Sequence, residues 1–187
     1  MAEVFVSHIH EEEEVAKAVQ RFLQQSFDNQ QNIFLSSDQR QVFAGENWLE
    51  RIRQELASAS VVVLLLSQRS VERPWVNFEA GAAWLAKKVV IPVCFGKLSK
   101  DQLPKQYAWA QALNLAEDSE YLVKSVAQHL KILPPPPFGK EYDEAHKNLL
   151  DNLEALEDVA LSHAIEEGEH GGTVDRGEIF EILEGNR

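Results

Sequence analysis

The run Val61–Leu66 reads Val-Val-Val-Leu-Leu-Leu and is apolar at every position. Successive side chains of a strand point to opposite faces, so an unbroken apolar run needs cover on both sides. The run is far below the ~20 residues needed to cross a bilayer as a helix. Ser60 and Ser67 bound it, which gives the length of a strand and not of a helix. A central strand of a parallel sheet, with helices on both faces, satisfies these constraints together.

The rest of the chain supplies that sheet. Val4-Phe5-Val6, Ile33-Phe34-Leu35 and residues 89–95 are further apolar, β-rich runs, and residues 112–115 are a shorter one. Helical spacing separates them. Val15, Ala18, Val19, Phe22 and Leu23 share one face, and Glu11, Glu12, Glu13 and Glu14 load the first turn, where carboxylates complement the helix dipole. Trp48, Leu49, Ile52 and Leu56 give a second helix. Pro74 opens a third, followed by Trp75, Phe78, Ala82 and Leu85. A fourth carries Leu122, Val126 and Leu130, with Asp118 or Ser119 as its cap. The alternation predicts an α/β fold, a doubly wound five-stranded parallel sheet. Ligands of such sheets sit beyond the carboxyl ends of the strands. Here that rim comprises Ser7 and His8, residues 36–47, residues 67–74 and the segment after Phe95.

The chain has 187 residues, enough for one domain of ordinary size and an appendage. Charge marks the boundary. Residues 1–140 carry 16 acids and 15 bases, whereas residues 141–187 carry 14 acids and 3 bases. Pro134, Pro135, Pro136 and Pro137 read as a stiff spacer just before the shift. The expected division is a domain over 1–133, a proline-rich linker over 134–140 and an acidic helical C-terminal extension over 141–187. In the extension, Tyr142, Leu149, Leu153, Leu156 and Ala160 form an apolar stripe, Gly171 and Gly172 break it, and Ile179, Phe180 and Leu183 form a last apolar face. The stripe suits docking on the chain's own domain or pairing with another helix. Without a basic face, no nucleic-acid or anionic-membrane partner is expected. One cysteine excludes a disulfide framework and a cysteine-based zinc site. Met1-Ala2-Glu3 opens no basic-then-apolar leader, so a cytoplasmic location is expected.

No Gly-x-Gly-x-x-Gly follows Val6 and no phosphate loop ends in Gly-Lys-Ser/Thr, which disfavours conventional dehydrogenases and P-loop enzymes. His8 and His10 lack a second ligand cluster and read as loop residues. Ser7, Ser36, Ser37 and Ser67 lie at strand ends, but none sits in a nucleophile elbow. Glu79 stands out. A helical glutamate is ordinarily a solvated surface group. This one lies among Trp75, Phe78, Ala80, Gly81, Ala82, Ala83 and Trp84, with Trp75 one turn away on the same face. An aromatic ring beside a carboxylate can hold a flat cationic ring, although a structural carboxylate packed under residues 67–74 fits the same pattern.

Three boxes in order resemble the Toll/interleukin receptor (TIR) domain family over residues 3–130. Val4-Phe5-Val6-Ser7-His8 is similar to its first box, with Ile9-His10-Glu11 standing where that box carries an acidic residue. Ile33-Phe34-Leu35-Ser36-Ser37-Asp38, with Gly45, Trp48 and Ile52 downstream, is similar to the second. Pro74-Trp75-Val76-Asn77-Phe78-Glu79 resembles the segment that carries the catalytic glutamate of NAD⁺-cleaving members. Trp109 is the nearest match to the third box.

The resemblance implies a flavodoxin-like sheet and an enzyme that cleaves the nicotinamide–ribose bond. NAD⁺ is then the substrate and no cofactor or metal is required. Products are nicotinamide with ADP-ribose or a cyclic ADP-ribose isomer, the latter a diffusible signal to a separate effector in anti-phage defence, as in Thoeris systems. It assigns catalysis to Glu79 and substrate contacts to Ser7, His8, Asp38, Phe43, Trp48 and Trp75, and it implies self-association through TIR surfaces. Two alternatives stand beside it. One is a non-catalytic scaffold that acts by self-association. The other is an enzyme similar to nucleoside deoxyribosyltransferases, which would attack an N-glycosidic bond through a covalent carboxylate intermediate.

Overall fold

A computed structural model describes residues 3–36, 48–107, 109–132 and 140–170, with the side chains of residues 48, 141 and 157–170 outside the description. Strand β3 (Val61–Leu66) is buried at every position, as its two-sided apolar sequence requires. It lies at the centre of a five-stranded sheet of order β2-β1-β3-β4-β5. The other strands are β1 (Val4–Ser7), β2 (Ile33–Leu35), β4 (Val89–Cys94) and β5 (Leu113–Asn114). All pairings are parallel. Phe5 sits opposite Val62, and Val62 opposite Val90, so the apolar runs align side by side.

Five helices complete the fold: α1 (Glu13–Ser26), α2 (Trp48–Ser58), α3 (Pro74–Leu85), α4 (Ser119–Leu130) and α5 (Lys140–His170). The alternation of β3 divides its side chains between two cores. Val62, Leu64 and Leu66 join Phe5 and Phe34 with Ile52 and Leu56 of α2 and Val76, Ala80 and Ala83 of α3. Val61, Val63 and Leu65 point to the other face, where right-handed crossover places α1 and where α4 touches β3. Fully burying each such side chain contributes about 1.5–3 kcal/mol relative to exposure.

The chain runs from β1 outward to β2, then returns past β1 to β3. The direction of winding therefore reverses between β1 and β3, and a crevice forms beyond their carboxyl ends. Ser7 and Ser67 stand there.

The strands and helices fall where the sequence predicts them, with three local differences. First, β5 is only two residues long. The side-chain oxygen of Asn114 accepts the backbone N–H groups of Ala116 and Glu117, at 3.0 and 3.2 Å, and turns the chain away from the sheet. Second, Asp118 occupies the cap position of α4 but makes no capping bond. Its carboxylate instead accepts the backbone N–H of Asn114 and the ammonium of Lys100, at 2.8 and 2.9 Å. Third, α1 begins at Glu13, after a 3₁₀ turn over His10–Glu12, so only two of the four glutamates lie in its first turn. Pro92 is tolerated inside β4 because β5 pairs only from Val93 onward, leaving this part of β4 at an edge.

The chain divides into two compact units, Met1–Leu153 and Glu154–Arg187. Within the first, α5 buries Ala145, Leu149 and Leu153, and Tyr142 packs on Phe22 of α1 with ring centres 5.7 Å apart. The second is described as helix as far as His170. The apolar face of Ile179, Phe180 and Leu183 lies outside the described residues, as do Gly171, Gly172 and the four prolines. No helix among the described residues is long and apolar enough to cross a membrane.

Leu149 is 1% exposed, so Leu149→Ala should cost about 2–5 kcal/mol in urea unfolding. A loss below about 0.5 kcal/mol, the range of a surface site, would mean that this part of α5 does not belong to the core.

Candidate functional site

Helix α3 places its charged residue where a core residue belongs. Val76, Glu79, Ala80 and Ala83 follow the three- and four-residue spacing of one helical face, and all four are buried. Pro74 fixes the start of the helix and hence the phase of that face. The carboxyl of Glu79 is 0% exposed as a result.

It meets the end of β1. The hydroxyl of Ser7, itself wholly buried, donates to Oε2 of Glu79 at 2.5 Å. Oε1 is buried without a hydrogen-bond partner. Burial raises the carboxyl to about 7, while the Ser7 hydroxyl and the Trp75 indole oppose that shift without cancelling it. Ser7 fixes one oxygen, and the Trp75 indole also acts on the carboxyl. Ionised in a low-dielectric site, such a group attracts a nearby positive charge far more strongly than it would in water, and its pKa also suits proton transfer near neutrality.

His8 follows Ser7 and is 2% exposed. Burial lowers its imidazole to about 4, so the ring is neutral at pH 7. Its Nδ1 lies 3.2 Å from the carbonyl of Val6, and its backbone N–H donates to Ser36 Oγ at 3.1 Å. The second contact ties the carboxyl ends of β1 and β2 together. Trp75 is half-buried one turn before Glu79, with its ring centre 5.7 Å from that of Phe78.

The structure thus brings Ser7, Trp75 and Glu79 together at the rim, with His8 beside them. Asp38 and Phe43 lie outside the described residues. Trp48 opens α2, but its side chain is not described. Sequence reasoning passes over Glu12. It matches Glu11 to the acidic position of the first box, yet Glu11 is exposed and Glu12 is buried, accepting the hydroxyl of Ser67. Four consecutive glutamates carry no signal that singles one out. Among the described residues, no group of three or more His, Cys, Asp or Glu side chains converges as a metal site would require.

The raised carboxyl has a consequence for stability. Unfolded, it ionises near 4.5; folded, at about 7. Between these values the folded state keeps a proton that the unfolded state has released, so stability falls as pH rises across the interval. Glu79→Gln removes that loss. The variant should be more stable than the parent by up to about 3 kcal/mol at pH 8, and by little at pH 4.5, in urea unfolding at the two pH values. An equal difference at both would mean that Glu79 is not held in this state.

A family model described as TIR domain matches residues 4–130, from β1 to the end of α4. No curated protein matches the chain at a significant level. Among solved structures, the TIR domain of the Toll-related receptor TRR-2 from Hydra magnipapillata is 11% identical, with a TM-score of 0.55 over 70% of this chain and 99% of that one. A metazoan TIR-STING receptor from C. gigas, solved in complex with 2',3'-cGAMP, is 17% identical, with a TM-score of 0.52 over 70% of this chain. The match covers 39% of the receptor chain. At these identities the two structures speak to the fold alone. The sequence match over most of the chain carries the assignment: this protein belongs to the TIR domain family.

Proposed function

We propose that this chain cleaves the bond between nicotinamide and ribose in NAD⁺, with Glu79 as the catalytic residue. The observation that carries the proposal is the wholly buried carboxyl of Glu79 at the rim, held by the Ser7 hydroxyl and acted on by the Trp75 indole one turn away. Family membership supplies the context, since some TIR domains are NAD⁺-cleaving enzymes.

One carboxylate suffices for this reaction. Nicotinamide in NAD⁺ is a pyridinium cation, and when the C–N bond breaks the electron pair neutralises the ring nitrogen. The leaving group therefore needs no proton donor, unlike the oxygen of an ordinary glycoside. Positive charge develops on the ribose, and ionised Glu79 stabilises it. Water then adds at the anomeric carbon and releases a proton, giving ADP-ribose, or an adenine nitrogen adds instead and gives a cyclic isomer. The second route requires a site that excludes water while the adenine folds back. A cyclic product would act as a diffusible signal to an effector, in keeping with anti-phage defence of the Thoeris type.

The family resemblance supplies the other roles. Trp75 walls the nicotinamide end. Ser7, bonded to Glu79, orients the carboxylate, and neutral His8 shapes the ribose or phosphate side without adding charge. Asp38, Phe43 and Trp48 complete the substrate contacts, and a neighbouring copy joined through TIR surfaces contributes to the working assembly.

The complete burial of Glu79 favours a second reading, in which the carboxyl is structural and the domain is a scaffold that works by self-association. Nicotinamide release from NAD⁺ separates the two. The parent protein should release nicotinamide and Glu79→Gln should be slower by about 10²-fold or more. The parent's rate should rise with pH through about 7, as the carboxyl ionises, and then level off. Equal release by both proteins would remove Glu79 from the mechanism, and no release by either over a wide range of protein concentration would favour the scaffold.

A further inference from the structure

The segment from Ser7 to Glu12 grips the α3 region at more than one point. At its start, Ser7 donates directly to Glu79. Near its end, Glu11 pairs with Arg73, the residue before Pro74, at 3.4 Å. At its end, Glu12 turns inward and accepts the hydroxyl of Ser67 on Oε1, while its Oε2 is buried without a hydrogen-bond partner.

Ser67 is the hinge of the loop that leads into α3. Its hydroxyl accepts the backbone N–H groups of Arg69 and Ser70, at 2.9 and 3.2 Å. Its own N–H donates to Ser70 Oγ at 2.8 Å, and its carbonyl accepts the N–H of Val71 at 3.0 Å. The side chain of Asn77 in α3 donates to the carbonyls of Val71 and Arg73, at 3.3 and 3.0 Å. An unbroken path of hydrogen bonds thus runs from Glu12 through Ser67 and Val71 to Asn77, two residues before Glu79. With its single proton given to Glu12, the Ser67 hydroxyl is left to accept the loop's N–H groups. Lose Glu12 and that orientation is no longer fixed.

We propose that Glu12 is a positioning residue for Glu79, setting through Ser67 how α3 seats and therefore where the Glu79 carboxyl lies relative to Ser7. The charged and polar groups facing Glu12 are Ser67, Ser70, Glu11 and Arg69. None is Glu79, so the effect travels through the loop and not through direct contact. As a statement about catalysis it rests on the NAD⁺-cleaving reading above; as a statement about the Glu79 carboxyl it does not.

The experiment has two readouts on the full chain. In the first, steady-state nicotinamide release from NAD⁺ is compared among the parent, Glu12→Ala and Glu12→Gln. Glu12→Ala should lower kcat at least about tenfold with KM changed less than about threefold, because a misplaced group loses rate before it loses substrate. Glu12→Gln keeps a carbonyl oxygen for the Ser67 hydroxyl and should recover most of the loss. The second readout needs no activity. With carbon-13-labelled glutamate, the Glu79 carboxyl is assigned by its disappearance in Glu79→Gln and titrated by NMR. Its midpoint should move away from the parent value in Glu12→Ala and return in Glu12→Gln. If no variant, nor the parent, cleaves NAD⁺, the catalytic reading fails and the titration alone decides the positioning claim. If Glu12→Ala does not fold, Ser67→Ala, which leaves Glu12 in place, takes its part in both measurements. An unchanged Glu79 midpoint in folded Glu12→Ala would overturn the proposal. So would equal losses in Glu12→Ala and Glu12→Gln that track the fraction of folded protein.

Discussion

A carboxyl seated on the inward face of α3 is the constraint around which this site is organised. The helix would pack more comfortably with an apolar residue at 79, since burial of a charge without a full set of partners is among the costliest arrangements a core can hold. The protein accommodates it by letting burial raise the carboxyl to about 7, so that neutral and ionised forms coexist near pH 7, and by giving one oxygen a hydroxyl donor from β1. The cost falls on Glu79, and a second buried carboxyl, Glu12, is raised by burial in the same direction.

The sheet makes that accommodation possible. β1 and β3 lie side by side and parallel, with Ser7 opposite Leu64, so both strands leave the sheet at the same rim and β3 runs two residues further. The chain must leave both strands at the same rim, and it does so through serines. Ser7 and Ser67 are small enough to be buried in the turn, and each gives its hydroxyl to a glutamate from a different segment. Two serine–glutamate pairs thus stitch β1, the 3₁₀ turn, the loop after β3 and α3 into one unit.

Much of this was legible in the amino-acid order. Strands buried on both faces announce themselves as unbroken apolar runs, so β1 to β4 were readable nearly to the residue. Glu79 was readable because its neighbours are small or aromatic, which is abnormal for a solvated glutamate. β5 was hard to delimit, since Asn114 ends it by a side-chain turn that competes with the ladder only in three dimensions. Glu12 was invisible for a different reason. In a run of four acids, helix-dipole logic explains all of them equally, and only the packed structure shows which one turns inward. The acidity of residues 141–187 read as a boundary by composition, whereas burial follows the apolar positions: α5 is packed as far as Leu153 despite its charge.

The sheet's two outer strands are three and two residues long. A free strand edge is the usual template on which one chain adds itself to another, and such a template needs several consecutive unpaired backbone groups. Among the described residues, neither border offers that length. Contact between copies at these two borders would draw on the shape and chemistry of side chains, a mode that can be made specific and reversible, more than on a common ribbon of hydrogen bonds.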